Sequence, residues 1–115
     1  MRAYIVTTFI GCFGVDEKNK IISFSPFPKD FEKIAEKLAA SETEIIDEEK
    51  KVQSELWKKG YKEFVFSVRK AGVRNVEAGN KAEIFIKENL RKIALEKGFV
   101  KDQVEFNQFL SRVSI

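Results

Sequence analysis

The feature that most constrains the fold is an apolar stretch at the start of the chain, Ala3–Val15. It is rich in β-branched and aromatic residues, which predicts strand. It is too short to cross a membrane, and it lacks the charge pattern of a signal peptide. The glycines Gly11 and Gly14 indicate a bulge or a close backbone approach. The predicted segments are a strand Ala3–Ile10, its continuation Gly11–Val15 after a glycine bend, a turn Asp16–Asn19 and a returning strand Lys20–Ser25.

Two helices are predicted after Pro26 and Pro28, which end the sheet because proline cannot donate to a ladder. The first is capped by Asp30 and runs to about Ala40. Its expected buried face comprises Phe31, Ile34, Ala35 and Leu38. The second is expected to open at Ser41 and Thr43 and to end at Gly60. Its expected apolar stripe comprises Ile45, Ile46, Val52 and Leu56, with Trp57 beside it.

The second half of the chain predicts two further strands and two further helices. The strands are Glu63–Val68 and an edge strand Val73–Glu77. The long helix spans Lys81–Lys97, ends at Gly98 and has the core stripe Ile86, Leu90, Ile93 and Ala94. The final helix follows Asp102 and buries Phe106, Phe109, Leu110 and Val113. We therefore expect an α+β (α/β two-layer) fold, with a small, mostly antiparallel sheet that starts with an N-terminal β-hairpin and packs against about four helices.

The residue inventory argues against an enzyme. The chain has no histidine and one cysteine, Cys12, which rules out an internal disulfide, a multi-cysteine zinc site and every Ser-His or Cys-His nucleophile. Gly11-x-x-Gly14 precedes no helix and so lacks the geometry of a phosphate loop. We predict no catalytic residue, no metal and no cofactor of its own. A carboxylate-and-lysine enzyme stays open as an alternative, and it would need a deep pocket.

The charge distribution allows two interpretations. Glu42–Glu49 holds five acidic and no basic residues, whereas Lys58–Arg74 holds six basic residues and one acidic residue. The simpler interpretation is that both are solvated faces. The alternative is a direct RNA-binding module that uses Lys58–Arg74. The lone cysteine and the absence of a signal peptide predict a cytoplasmic location.

The order of motifs resembles the N-terminal domain of archaeal Nop proteins, the core scaffolds of box C/D small ribonucleoproteins. The residues that carry the resemblance are YIVTTFIGCFGVD at 4–16, FPKDFEKI at 27–34, NKAEIFIKENLRKIA at 80–94 and VEFNQFL at 104–110. The resemblance covers most of the chain and is weakest over Ile45–Arg74. It implies that residues 1–115 form a single domain, truncated before a coiled coil and an RNA-binding Nop domain.

The resemblance also implies a function. In the family, this domain is a non-catalytic scaffold that binds the methyltransferase fibrillarin and supports guide-RNA-directed ribose 2'-O-methylation of rRNA and tRNA. S-adenosylmethionine is bound by that partner, not by this chain. The full-length protein is expected to bind box C/D guide RNA together with a kink-turn-binding protein, and to self-associate through the coiled coil. The setting is the archaeal cytosol, with no membrane contact.

The candidate partner-binding residues are those left outside the core stripe of the long helix. An apolar helix circumference this wide predicts a second covered face. The apolar candidates are Ile84, Phe85, Leu95 and Phe99, and the expected polar rim is Glu88, Asn89, Arg91 and Lys92. The alternative is that Phe85 and Leu95 pack against the last helix.

Overall fold

A computed structural model describes residues 2–67, 80 and 89–112, without the side chains of residues 31 and 109–112. Its strands are β1 (Arg2–Thr8), β2 (Gly11–Val15), β3 (Ile21–Pro26) and β4 (Glu63–Phe66). They form a sheet in the order β3-β2-β1-β4. The pairs β1–β2 and β2–β3 are antiparallel, and β1–β4 is parallel. The helices of the described ranges are α1 (Phe31–Ser41), α2 (Asp47–Lys58), α3 (Arg91–Glu96) and α4 (Gln103–Arg112). The expected α+β fold is confirmed.

The N-terminal stretch corrects one prediction, because the chain reverses at Phe9–Ile10 instead of continuing as one bent strand. Thr8 pairs with Gly11, so β1 and β2 form a hairpin with a two-residue turn. Phe9 and Ile10 are fully buried. The Thr8 hydroxyl accepts from the backbone N–H of Ile10 (3.3 Å) and donates to the carbonyl of Gly11 (3.0 Å). These bonds satisfy the Ile10 N–H and the Gly11 carbonyl, so the two turn residues can be apolar and buried.

The predicted start of the second helix is also wrong. Ser41 is the last residue of α1, and α2 begins at Asp47. Ile46 is extended (φ −79°, ψ 165°), and the Glu49 carboxyl accepts from its backbone N–H at 3.1 Å. This side chain at the third helical position supplies half of a capping box, so it sets where the helix starts. Ile45, which was expected in the buried stripe, is 38% exposed ahead of it.

α1 confirms its predicted cap and departs from its predicted face. The Asp30 carboxylate accepts from the backbone N–H groups of Glu32 and Lys33. Ile34 is fully buried and Leu38 is partly buried against the core, but Ala35 is exposed. Fewer side chains of α1 are therefore buried than the predicted four-residue stripe contains. A methyl group gains little from burial, so this small departure costs little stability.

The centre of the sheet is covered on both faces, since residues 3–15 are all buried. On one face α2 lies so close to Gly14 that a Cβ there would come within 2.8 Å of Leu56 and 2.9 Å of Val52. The close approach expected from the glycines is confirmed at this position, and the β2–β3 register shifts between Gly14 and Val15. On the other face Phe13 stacks on Phe24 with ring centroids 4.3 Å apart.

The C-terminal helices follow the expected pattern where they are described. Leu90, Ile93 and Ala94 are buried. The Asp102 carboxylate accepts from the Glu105 N–H at 2.9 Å and so caps α4. Phe106 is buried with its ring 5.7 Å from that of Phe9, which ties α4 to the hairpin turn. The predicted edge strand 73–77, residues 81–88 of the long helix and the predicted core side chains at 31, 109, 110 and 113 lie outside the described residues.

Candidate protein-docking surface

The described part of the predicted partner site lies on α3 and at its two ends. Asn89 precedes the helix and is partly buried. Arg91, Lys92 and Leu95 lie on its exposed surface. Phe99 follows the helix and is partly buried against the core. The remaining candidates, Ile84, Phe85 and Glu88, lie outside the described residues.

Leu95 is partly exposed to solvent on α3. Its side chain is 37% exposed, whereas its neighbours Ile93 and Ala94 are buried. Leu95 is therefore not a fully buried core residue, and its packing against the last helix stays a prediction. A large aliphatic side chain left this open on a short helix is a candidate contact for a partner.

Val104 adds an apolar residue that the sequence reasoning missed. It lies in the first turn of α4 and is 64% exposed. The signal was present in the sequence, since Val104 does not belong to the predicted stripe of Phe106, Phe109, Leu110 and Val113.

A polar chain of hydrogen bonds joins α3 to α4 at this surface. The guanidinium of Arg91 donates to the side-chain carbonyl of Gln103 at 2.6 Å. The amide of Gln103 in turn donates to Asn107 at 3.0 Å. Val104 follows Gln103 in α4, and Leu95 lies one turn beyond Arg91 in α3, so both exposed apolar residues belong to the two helices that this chain joins. We call Arg91, Leu95, Phe99, Gln103 and Val104 the docking surface.

The end of α3 positions Phe99 through its backbone. Gly98 adopts φ +73°, its N–H donates to the carbonyl of Leu95, and the N–H of Phe99 donates to that of Ala94 at 2.9 Å. This pair of bonds is a Schellman motif. The Lys29 ammonium lies 3.4 Å from the carbonyl oxygen of Gly98 and 5.1 Å from the centre of the Phe99 ring. A cation at a helix C-terminus is favourable, so Lys29 helps to hold this end of the surface in place.

Comparison with known proteins identifies the family. The sequence matches the family described as archaeal Nop5/56-related, N-terminal domain, over residues 2–115. The chain belongs to this family. It is a family of box C/D ribonucleoprotein scaffolds, as the resemblance implied. A search of curated proteins found no match.

The basic segment of this Nop-family domain is described only in part. Lys58, Lys59 and Lys62 are exposed, and residues 68–74 lie outside the described residues. Lys58 forms an ion pair with Glu55 at 3.6 Å, and Lys59 donates to the carbonyl of Ile22 at 3.0 Å. The Lys62 ammonium lies 3.6 Å from the centre of the Trp57 ring. The described lysines are thus all exposed to solvent, and one of them, Lys62, lies over an aromatic ring.

The acidic run of the domain is solvated only in part, because Glu48 and Glu49 are buried whereas Glu42, Glu44 and Asp47 are exposed. Glu48 pairs with Lys37 at 2.9 Å beside an open cleft of about 490 Å³ between α1 and α2. The hydrogen bond to Glu48 raises the pKa of Lys37 above its ordinary value of 10.5, and burial offsets part of this shift. This ion pair joins α1 to α2, so the lysine and the carboxylate have a structural role here.

Within the described ranges 2–67, 80 and 89–112, no group of three His, Cys, Asp or Glu side chains is placed to hold a metal ion. No helix there is long and apolar enough to cross a bilayer.

Proposed function

We propose that this domain binds a fibrillarin-type methyltransferase through the docking surface and positions it over a guide-selected RNA. Two observations support the proposal. The chain belongs to the Nop5/56-related N-terminal family, and α3 and α4 leave Leu95 and Val104 exposed beside a hydrogen-bonded polar chain. This combination of apolar centre and ordered rim is typical of protein interfaces.

The exposed apolar pair at Leu95 and Val104 carries the proposal. Burying these two side chains against a partner removes apolar surface from water, which is favourable at about 25 cal/mol per Å². The Arg91–Gln103–Asn107 chain already holds the rim side chains in the free domain. Pre-ordered side chains lose less entropy on binding, so more of the contact energy remains as affinity.

In this proposal the domain contributes position and the partner contributes chemistry. Transfer of a methyl group from S-adenosylmethionine to a ribose 2'-hydroxyl requires donor and acceptor to be held in line, and a fixed scaffold can supply that restriction. The domain itself carries no catalytic residue and no cofactor, and it acts in the archaeal cytosol.

Calorimetry of surface variants with the methyltransferase tests the docking surface. The variants Leu95→Glu and Val104→Glu place a charge where the partner must exclude water, and we expect each to weaken binding of the methyltransferase at least tenfold by calorimetry. Arg91→Glu should weaken it less, because Arg91 lies at the rim. Ile21→Glu on β3 is the matched control, since Ile21 is 40% exposed and Leu95 is 37% exposed.

Two outcomes would contradict the proposal. One is a wild-type domain that does not co-elute with the methyltransferase on a sizing column. The other is equal loss of binding in the Ile21→Glu control, which would show a non-specific effect of added charge. Circular dichroism of each variant separates lost binding from lost folding.

A further inference from the structure

Trp57 is the most exposed aromatic side chain among the described residues. It is the single tryptophan of the chain and is 54% exposed in the last turn of α2. Its ring centre lies 6.5 Å from that of Phe64 on β4, which is only partly buried. Leu56, its neighbour in α2, is fully buried, so the helix turns Leu56 to the core and leaves Trp57 outside.

The surroundings of Trp57 form a shallow groove of about 500 Å³. It is lined by Lys50, Gln53, Ser54, Trp57, Lys62 and Phe64. The first four recur at the spacing of one helical face, Lys62 directly precedes β4, and Phe64 lies on β4. We call these residues the Trp57 groove. Its lining contains two lysines, two aromatic rings and no acidic residue.

Lys62 shows that the Trp57 ring accepts a group stacked on its face. The ammonium lies 3.6 Å from the ring centre and also donates to the backbone carbonyl of Trp57 at 3.3 Å. At an exposed site a cation–π contact is weak, so a better stacking group can displace it. The displaced ammonium would stay within a side-chain length of the ring.

The composition of the groove favours a nucleic acid over a protein. Lysine is depleted from protein interfaces. Lysines beside exposed aromatic rings are instead the usual composition of single-strand sites, where bases stack and ammonium groups meet phosphates. A base within a duplex has both faces covered, so only an unpaired base can use the Trp57 ring.

We propose that the Trp57 groove is a contact site for single-stranded RNA. One base stacks on the indole of Trp57 in place of the Lys62 ammonium, which moves to the adjacent phosphate. Lys50 neutralises a second phosphate at the other end of the groove. The site is formed by α2 and β4, whereas the docking surface is formed by α3 and α4, so the two proposals can fail separately.

The single tryptophan gives the experiment a direct signal. Titration of the 115-residue chain with a ten-nucleotide oligouridylate should quench Trp57 fluorescence saturably, and the same concentration of uridine monophosphate corrects for absorption. If two phosphates are neutralised, binding should weaken about sevenfold between 50 and 200 mM salt.

Variants identify the residues responsible. Trp57→Ala should weaken binding of fluorescein-labelled oligouridylate about tenfold in fluorescence anisotropy. Lys62→Gln should lower the slope of log affinity against log salt by about 0.7 and leave the fold unchanged. Lys18→Gln is the matched control, because Lys18 is an exposed lysine in the β2–β3 turn.

Three outcomes would overturn the inference. The first is no saturable quenching by oligouridylate. The second is equal or stronger quenching by an oligoglutamate peptide, which would assign the groove to an acidic protein. The third is unchanged affinity in Lys62→Gln or equal binding of an RNA duplex, either of which would show that the groove does not read a single strand.

Discussion

Glu49 is the residue through which α2 is joined to the sheet. Its side chain is fully buried. One carboxyl oxygen accepts from the Thr7 hydroxyl on β1 at 3.0 Å, and the other accepts from the backbone N–H of Ile46 at 3.1 Å. The thiol of Cys12 on β2 lies 3.5 Å from the same hydroxyl. A buried carboxyl is costly unless both oxygens are hydrogen-bonded, and here both are.

We therefore expect Glu49→Ala to lower the free energy of unfolding by about 3 kcal/mol. The change leaves the Thr7 hydroxyl and the Ile46 N–H without these acceptors and creates a cavity. Urea unfolding followed by Trp57 fluorescence measures the loss. Glu55→Ala on the same helix is the control, since the Glu55 side chain is 52% exposed, and its cost should stay within about 0.5 kcal/mol. Equal losses in both variants would contradict this role.

Helices α2 and α3 end in the same way, and each ending places an aromatic residue. Gly60 has φ +96° after α2 and Gly98 has φ +73° after α3. The N–H of Tyr61 donates to the carbonyl of Leu56 at 3.0 Å, as that of Phe99 donates to Ala94 at 2.9 Å. Only glycine adopts a left-handed backbone at little cost in free energy, so both helix ends depend on a glycine at this position.

Gly60→Ala and Gly98→Ala should each destabilise the domain by about 1 kcal/mol, because a Cβ strains the left-handed backbone. Neither position is crowded: no atom lies within 4 Å of a Cβ at Gly60, and the nearest to one at Gly98 is the Lys29 ammonium at 3.7 Å. Thermal unfolding measures both losses. Only Gly98→Ala should also weaken methyltransferase binding, since Phe99 belongs to the docking surface. Weaker binding in Gly60→Ala as well would argue against a specific role for the end of α3.

The whole molecule is built around the buried centre of the sheet. Its charged side chains lie both at the surface and between the helices α1 and α2. The acidic start of α2 faces α1, where Lys37 neutralises the buried Glu48. Lys50 of the same helix is exposed and lines the groove beside Trp57. The buried carboxylates of α2 thus serve packing, whereas this exposed lysine is placed for contacts with anions.

The Lys37–Glu48 pair predicts a dependence of global stability on alkaline pH. Because the pKa of Lys37 is raised in the folded state, its contribution is complete below the unfolded value of 10.5 and is lost as pH rises through the folded value. Lys37→Gln should therefore destabilise the domain near pH 8 and approach the wild type as the pH rises beyond 10.5 in urea unfolding. Lys33→Gln, exposed on the same helix, should show no such convergence. A constant difference between Lys37→Gln and wild type at all pH values would contradict the linkage.

Local signals in the sequence were enough for the type and end of most described elements. Asp30 and Asp102 cap helices through their own side chains, and Gly60 and Gly98 end them through their own backbone, so each signal acts within a few residues. The α+β class followed from the periodicity of the apolar residues. The location of the described docking residues on α3 also followed, because apolar residues outside the core stripe, such as Leu95, are visible in the pattern.

The structural features that the sequence did not predict depend on contacts between distant segments. The two-residue turn Phe9–Ile10 contains no glycine or asparagine and is held by hydrogen bonds of the Thr8 hydroxyl. Phe9 is covered by Phe106 from the other end of the chain. The start of α2 and the burial of Glu49 require Thr7 on β1. The exposure of Trp57 and the bond between Arg91 and Gln103 depend on how helices are oriented on the sheet. Propensity and periodicity act within one segment, whereas these features are set by packing between segments, so only the folded chain shows them.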